Sequence, residues 1–328
     1  MEKYAKNNAK GNKPYRNDKN TRGDRSGERR GDRRDPRNQA PRRPQNEGRG
    51  STKYDHVDRS VEARDNAAVA DVEESSGIVI GRNAVRELLH SDRTIDKLLV
   101  QRGEREGSIV VLVAQALEKK IPVVEVDRSK LDAIAGFAPH QGVIAMAAEK
   151  EYVDVEDILA IARERGEDPI IAIADGITDP YNLGALIRCA EGLGAHGLIL
   201  PKRRAVGLTP LVSKASAGAI EHLAVAKVAN LAQTVQELQK QGVWVYAAEA
   251  GGQSYDKTDL TGPCALIFGS EGNGVSALLK QKCDAIISIP MRGQVNSLNV
   301  STAASILLAE AARQHAVARE KKALELPQ

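Results

Sequence analysis

The sequence predicts an α/β fold, a mostly parallel β-sheet with helices on both faces, joined to a smaller α/β domain. Three observations predict it. From residue 77 onward, short apolar runs typical of buried strands alternate with amphipathic helical segments, as in parallel sheets covered on both faces. Apolar residues make up 41% of the 328-residue chain, enough for two domains with a core. Aromatic residues make up only 3%, so Val, Ile, Leu and Ala must fill that core.

Residues 1–76 have a composition that does not support a folded domain. The segment repeats Arg, Asp, Asn, Gly and Pro and has almost no large apolar residues, so burial cannot offset the entropy lost on ordering. Its first 50 residues hold 16 Lys and Arg against seven Asp and Glu, a balance of +9 that leaves −6 for the rest of a chain of net charge +3. We expect a disordered, basic Arg/Gly-rich extension and linker. This composition favours an arm that binds RNA phosphates, and a solubilising tail is the alternative.

The sequence predicts a small α/β domain at residues 77–148 and a charged helical linker at residues 149–168. Apolar periodicity predicts helices at 81–89, 109–119 and 130–135 and strands at 95–100, 122–126 and 143–146. A unit of roughly 70 residues is close to the lower limit for independent stability.

The sequence predicts the larger domain at residues 169–315 and a C-terminal tail at residues 316–328. Continuous apolar runs predict strands at 170–174, 197–200, 223–228, 243–248, 264–268 and 286–289. Between them, helices are predicted at 183–193, 210–217, 231–241 and 275–281, and a last helix begins at Asn299. Because helices separate most of the strands, we expect a mostly parallel sheet.

The sequence also indicates the cellular compartment of the protein. No run of about 18 apolar residues occurs, so no membrane span is predicted, and the first residues have no apolar signal core. Cys189, Cys264 and Cys283 show neither a pairing pattern nor metal-ligand spacing. We expect reduced thiols, no metal site and a cytoplasmic protein.

The most informative stretch is residues 286–308. An apolar strand ends at Pro290, which cannot donate to a β-ladder. A polar loop around Gly293 follows, and Ser297 or Asn299 can cap the amphipathic helix that comes next. Ligands of α/β proteins bind at such strand–loop–helix junctions, but an ordinary connection with a good cap has the same pattern.

Two other strand–loop–helix stretches carry unusual polar residues. In residues 175–194, Asn182 stands at the helix start and Arg188 projects from the side opposite the apolar stripe. In residues 267–276, three glycines surround Glu271, in an order that matches neither the Walker loop nor the dinucleotide fingerprint. Read separately, Asn182 is a helix cap, Arg188 a solvated cation and Glu271 an exposed residue of a glycine-rich turn.

Taken in order, the three stretches resemble the motifs of the SpoU-type RNA ribose 2′-O-methyltransferases of the SPOUT superfamily. N-x-G-x-x-x-R is present as Asn182, Gly184 and Arg188, F-G-x-E-x-x-G at residues 268–274, and S-L-N at 297–299. The resemblance covers residues 170–312, and residues 77–147 resemble the family's small substrate-binding domain. Each motif alone is weakly diagnostic, whereas the ordered set is specific.

The resemblance implies a trefoil knot near the C-terminal end, S-adenosyl-L-methionine as cofactor, no metal, and a homodimer with the site near the subunit interface. The implied cofactor-binding residues are Ala248, Gly269, Gly274, Ile289, Met291, Ser297 and Leu298. The implied catalytic residues are Asn182, Arg188, Glu271, Ser297 and Asn299. Proposals for the family make the arginine a base that deprotonates the 2′-hydroxyl. A guanidinium keeps its proton in nearly all settings, so binding of the adjacent phosphate is the alternative for Arg188.

The arrangement most resembles family members that methylate a guanosine ribose of 23S ribosomal RNA. A transfer-RNA methyltransferase of the same family is the nearest alternative. A non-catalytic RNA-binding or ribosome-assembly protein is another, although it would not need Asn182, Arg188, Glu271 and Asn299 together. A nucleotide-dependent dehydrogenase is disfavoured because the fingerprint loop is missing.

Overall fold

The structure, a computed structural model, describes residues 77–103, 107–136 and 138–325. The predicted basic extension and linker, residues 1–76, lie outside the described residues. Two β-sheets organise the described part, one of four strands and one of six. The predicted α/β class with a mostly parallel sheet is confirmed.

The small domain is a four-stranded mixed sheet in the order β1-β4-β2-β3. Strands β1 and β2 both pair antiparallel with β4, while β2 and β3 run parallel. Its core is aliphatic and includes Leu88, Leu98 and Leu112. The elements are β1 (Gly77–Ile80), α1 (Arg82–His90), β2 (Ile95–Gln101), α2 (Ser108–Glu118), β3 (Val123–Val126), α3 (Arg128–Ala135) and β4 (Val143–Ala147).

The large domain is a six-stranded sheet in the order β10-β8-β9-β5-β6-β7, and every neighbouring pair is parallel. The strands are β5 (Ile170–Asp175), β6 (Gly197–Pro201), β7 (Ala224–Val228), β8 (Trp244–Ser254), β9 (Cys264–Gly269) and β10 (Ala285–Ser288). The helices are α4 (Val155–Arg165), α5 (Pro180–Gly192), α6 (Pro210–Ala215), α7 (Leu231–Lys240), α8 (Ala277–Lys282) and α9 (Val300–Glu325). Because the strands are parallel, all of the loops that follow them leave from one edge, here called the carboxyl edge.

Alternate residues of the central strands face opposite layers of helices. Ala172 and Ala174 of β5 pack in the cluster that contains α5, α6 and α9, whereas Ile171 and Ile173 pack with α4, α7 and α8. This period of two follows from strand geometry. Both faces of the sheet are therefore buried, which explains the unbroken apolar strands of the sequence.

Several boundaries differ from those predicted. The segment predicted as a helical linker does contain a helix, α4, but its Ile158 and Leu159 are buried against the large sheet. The segment predicted as a C-terminal tail continues α9 as far as Glu325. Strand β8 extends to Ser254 because its end pairs with β10, across a register shift between Ile286 and Ile287. None of the helices in the described residues is long and apolar enough to cross a lipid bilayer.

A buried ion pair joins the two domains. Arg93 Nη1 of the small domain lies 2.8 Å from Glu221 Oε1 of the large domain, and their side chains are 11% and 1% exposed. The main-chain oxygen of Glu221 accepts a hydrogen bond from Lys150 Nζ over 3.0 Å, and burial lowers the pKa of that ammonium group. A further ion pair forms between Glu87 and His222 when the imidazole is protonated.

We expect Arg93→Ala to lower the free energy of unfolding by about 3 kcal/mol, because it leaves the buried Glu221 carboxylate without its counter-charge. Denaturant unfolding followed by circular dichroism measures the change. Arg102→Ala is the matched control, since the side chains of its pair with Asp127 are 62% and 65% exposed and such pairs contribute less than about 1 kcal/mol. Equal stability of the two variants would contradict a structural role for the buried pair.

Candidate active site

The three motifs meet at the carboxyl edge of the large sheet. Their loops follow β5, β9 and β10, and two of them lead directly into α5 and α9. Neighbouring parallel strands bring their ends to one edge, so residues more than a hundred positions apart in sequence become neighbours. The topology therefore assembles what the sequence presents as three separate stretches.

Asn299 connects all three motifs through a single side-chain amide. Its Nδ2 donates to Asn182 Oδ1 over 2.9 Å and to Glu271 Oε1 over 2.6 Å. Its Oδ1 accepts from the main-chain N of Ser301 over 2.9 Å and so caps α9. Only this orientation of the amide directs the Nδ2 donor toward the two side-chain oxygens and the Oδ1 acceptor toward the main-chain N at the helix start. The polar cluster Asn182–Glu271–Asn299 is thereby held in one geometry.

Asn182 is not the cap of α5. That role belongs to Asp179, whose Oδ1 accepts from the main-chain N of Asn182 over 2.8 Å, with Pro180 at the first helical position. The interpretation of Asn182 as an ordinary cap is therefore wrong. Its side chain is left to accept from Asn299.

The glycine of the first motif is required by helix packing. A Cβ built on Gly184 would lie 2.4 Å from the Cβ of Ala215 and 2.9 Å from the main-chain N of Ser216. Only glycine lets α5 approach α6 this closely. The packing fixes the helix that carries Asn182 and Arg188.

A cavity of about 420 Å³ opens between β8 and the loops that follow β9 and β10. All seven predicted cofactor-binding residues line it: Ala248, Gly269, Gly274, Ile289, Met291, Ser297 and Leu298. Glu271 also contributes to the wall, whereas Asn182, Asn299 and Arg188 lie outside the lining. The volume is within the range of small-molecule sites, about 300 to 1,000 Å³.

The glycine-rich loop folds back on itself at the cavity wall. The main-chain N of Gly274 donates to the oxygen of Ser270 over 2.9 Å. A Cβ on Gly269 would lie 2.0 Å from the carbonyl carbon of Gly274, and Gly274 itself has φ of +61°. Side chains are excluded at both positions, so the backbone itself forms this wall. Gly272, in contrast, has nothing within 4 Å of its Cβ position.

Glu249 and Lys280 belong to the site although sequence reasoning missed them. Both line the cavity, and Lys280 Nζ lies 3.3 Å from Glu249 Oε2. The same oxygen accepts from the main-chain N of Val275 over 3.2 Å. Glu249 thus fastens the end of the glycine-rich loop to β8. The apolar pattern of β8 ends just before Glu249, so only an extension of the predicted strand could have found it.

Arg188 is exposed and has no hydrogen bond or ion pair to any described residue. It lies six residues beyond Asn182 on α5, which is about 9 Å along the axis and about 240° around it. The prediction that it projects away from the apolar stripe is confirmed. Within one copy of the chain, however, the structure does not bring it to the Asn182–Glu271–Asn299 cluster.

The cysteines take no visible part in this site. Burial raises the pKa of Cys264 to about 12 and also raises the pKa of Cys283, so neither forms the reactive thiolate near neutral pH. Cys189 contacts Ser305 Oγ across the α5–α9 interface. All three are free thiols.

Comparison with known proteins agrees with this geometry. Residues 169–309 match the model of the SpoU rRNA Methylase family, and residues 78–153 match that of the RNA 2′-O ribose methyltransferase substrate binding domain. A Bacillus subtilis protein named as a TrmH family tRNA/rRNA methyltransferase, YacO, is 44% identical over 237 residues, which cover 72% of this chain and 95% of that protein.

The chain belongs to the SpoU/TrmH family of RNA methyltransferases.

Solved structures of the family share the fold of this member. The SpoU methyltransferase AviRb from Streptomyces viridochromogenes, crystallised in complex with AdoMet, is 23% identical with a TM-score of 0.62, over 80% of this chain and 95% of that one. An RNA methyltransferase structure of the TrmH family from Porphyromonas gingivalis is 27% identical with a TM-score of 0.57, over 74% and 92% of the two chains.

Proposed function

We propose that this SpoU/TrmH family member uses S-adenosyl-L-methionine to methylate a ribose 2′-hydroxyl of RNA, at a guanosine of 23S ribosomal RNA. The observation that carries the proposal is the meeting of three motif loops beside one cavity, held by the single amide of Asn299. A protein that only binds RNA has no need of a shaped small-molecule cavity.

The residues present fit the cofactor. Backbone at Gly269 and Gly274 forms one wall of the cavity, where a Cβ would collide with main-chain or side-chain atoms. Ile289, Met291 and Leu298 supply apolar surface on the opposite loop. A flat, largely apolar adenine ring fits between such walls, and main-chain amides and carbonyls can read its polar edge. With S-adenosylmethionine bound, the site would hold a methyl group that is already activated by the sulfonium of the cofactor.

The chain itself supplies position and charge. We infer that Glu271 holds the reacting hydroxyl and accepts its proton as the methyl group is transferred, because Asn299 occupies its Oε1 and leaves Oε2 without a partner among the described residues. Arg188 binds the adjacent phosphate and stabilises the oxyanion that develops at the ribose, since a guanidinium is a charged donor rather than a base. Ser297 lines the cavity beside Leu298 and orients the ribose. Orientation of this kind supplies several kcal/mol of catalysis, up to about 7–11.

A homodimer would complete the site. Arg188 has no hydrogen bond or ion pair among the described residues, and the motif segments expose apolar side chains that a monomer leaves in water, with Tyr181 62% and Val295 67% exposed. A second copy packed on this surface would cover them and bring its Arg188 toward the first copy's polar cluster. The implied trefoil knot fits the same region, because β10 reaches the sheet edge beside β8 after β9 has filled an inner position.

Ribosomal RNA is favoured over transfer RNA by the additional binding surface. The chain has a separate small domain that matches a substrate-binding model, and its first 50 residues carry a charge of +9; both features suit a large polyanion. We expect the enzyme to act in the cytoplasm, where that substrate is assembled.

The experiment incubates the purified chain with S-adenosylmethionine and either 23S ribosomal RNA or total transfer RNA, both transcribed without modification. Ribose methylation is mapped by resistance to alkaline cleavage. One protected guanosine in 23S RNA is the expected result. Protection in transfer RNA alone would overturn the ribosomal substrate. Cofactor binding by calorimetry with no transfer to either RNA would overturn both assignments.

A further inference from the structure

The loop after β6 carries three consecutive cations, Lys202, Arg203 and Arg204, here called the basic loop. All three side chains are exposed, and none has a hydrogen bond or ion pair within the part of the chain that the structure describes. Exposed arginines elsewhere are often paired, as in Arg313 with Glu310 and Arg319 with Glu167. The basic loop therefore concentrates positive charge that the fold leaves uncompensated.

The basic loop leaves the sheet at the carboxyl edge, beside the candidate active site. Strand β6 is the parallel neighbour of β5, and neighbouring strands lie about 4.8 Å apart. The connection to the first motif is direct, because the main-chain N of Val206 donates to the oxygen of Ile177 over 3.0 Å. Ile177 lies in the loop that leads into α5. The cations therefore flank the helix that carries Asn182 and Arg188.

The backbone around the basic loop is held in place, so the charges are presented from a fixed support. The main-chain N of Lys202 donates to the oxygen of Val228 over 2.7 Å. The main-chain N of Leu208 donates to Tyr152 Oη over 2.9 Å, and Arg204 has φ of +61°, which is uncommon for a residue with a side chain. These hydrogen bonds fix the backbone on both sides of the loop, so less conformational entropy is lost when a ligand binds.

Carboxylates on the same edge are engaged elsewhere. Asp175 Oδ2 accepts from the main-chain N of Ser276 over 2.7 Å, Asp179 caps α5, and Glu271 accepts from Asn299. The basic loop is therefore free to meet an external anion. A run of three exposed charges suits a chain of phosphates better than a single small anion.

We propose that Lys202, Arg203 and Arg204 bind the RNA backbone next to the nucleotide being methylated, and so place its ribose before the cavity. This inference rests on the proposed function, because it takes RNA as the substrate. It adds a phosphate-binding element of the large domain that is separate from the small domain and from the three motifs.

The test replaces all three cations by alanine in the full chain and compares it with a matched control, Arg163→Ala/Arg165→Ala/Lys240→Ala. The control removes the same charge from exposed positions at the ends of α4 and α7, at the opposite edge of the sheet. The probe is unmodified 23S ribosomal RNA in filter binding at a series of salt concentrations. Calorimetry with S-adenosylmethionine serves as the folding and cofactor readout.

We expect the basic-loop variant to bind RNA at least tenfold more weakly, and to flatten the plot of log affinity against log salt by about 2, from three contacts of about 0.7 each. The control should stay within about twofold. Arg203→Lys/Arg204→Lys, which conserves charge, should keep the wild-type slope. Cofactor affinity should be unchanged in every variant.

An unchanged salt slope in the basic-loop variant, or an equal loss in the control, would overturn the proposal. Either result, with the wild-type chain still methylating RNA, would leave the proposed function standing. A wild-type chain that binds the cofactor but methylates neither RNA would count against the proposed function itself. The basic extension is present in all variants, so its contribution cancels in the comparison.

Discussion

Arg188→Ala is expected to lower the rate of methyl transfer on the order of 10³-fold, the scale seen when a donor to a developing oxyanion is removed, with cofactor affinity kept within about twofold. The side chain is exposed and has no partner in the described chain, so its loss leaves no buried group unpaired and should not affect folding. We expect its charge to act only when RNA is bound. Single-turnover transfer from radiolabelled S-adenosylmethionine measures the rate, and calorimetry measures the affinity.

Two further variants identify what Arg188 does. Arg188→Lys keeps the charge but not the paired donors of the guanidinium, and should recover part of the rate if the residue binds phosphate. Arg163→Ala removes an exposed arginine from α4 and should leave the rate unchanged. If Arg188→Ala lost cofactor affinity together with activity, the residue would instead belong to folding or to the cofactor site.

Gly269→Ala is expected to abolish measurable cofactor binding, with affinity at least 100-fold lower. The new Cβ would lie 2.0 Å from the carbonyl carbon of Gly274 and 2.2 Å from the main-chain N of Val275. Both contacts are with backbone, which cannot rotate away, so the glycine-rich loop must shift from the cavity wall. We also expect a stability loss of roughly 1–3 kcal/mol, typical of overpacking.

Gly272→Ala, three residues further along the same loop, is the matched control. Nothing lies within 4 Å of its Cβ position, so its affinity for S-adenosylmethionine should remain close to that of the wild-type protein. Thermal unfolding of both variants separates a local change from global unfolding. A folded Gly269→Ala protein that binds the cofactor normally would disprove the role of this close approach.

Much of the fold was predictable because the core is periodic. β5 is a continuous run of buried aliphatic residues, and buried residues repeat with helical spacing along α5, where Leu183, Leu186 and Ile187 face the core. Those patterns locate most elements to within a few residues. Strand β1 was missed because its four residues, Gly77–Ile80, are too few to show a period.

The residues of the site were predictable from the sequence, but their arrangement in space was not. Asn182, Glu271 and Asn299 were candidates because each follows a strand, yet nothing local says that one amide joins them. The cap of α5 was misassigned because Asp179 and Asn182 both have capping side chains, and only the backbone position decides. Glu249 was missed because its role depends on the contact between β8 and the glycine-rich loop.

The Arg93–Glu221 pair has a consequence for which RNA molecules qualify. A small domain fastened to the large one by a counter-charged pair in its interior would keep a fixed distance between an RNA-binding surface on the small domain and the cofactor cavity beside which the ribose is methylated. We therefore expect the enzyme to reject RNA molecules whose helices place the target nucleotide too near or too far, even when the local sequence is right.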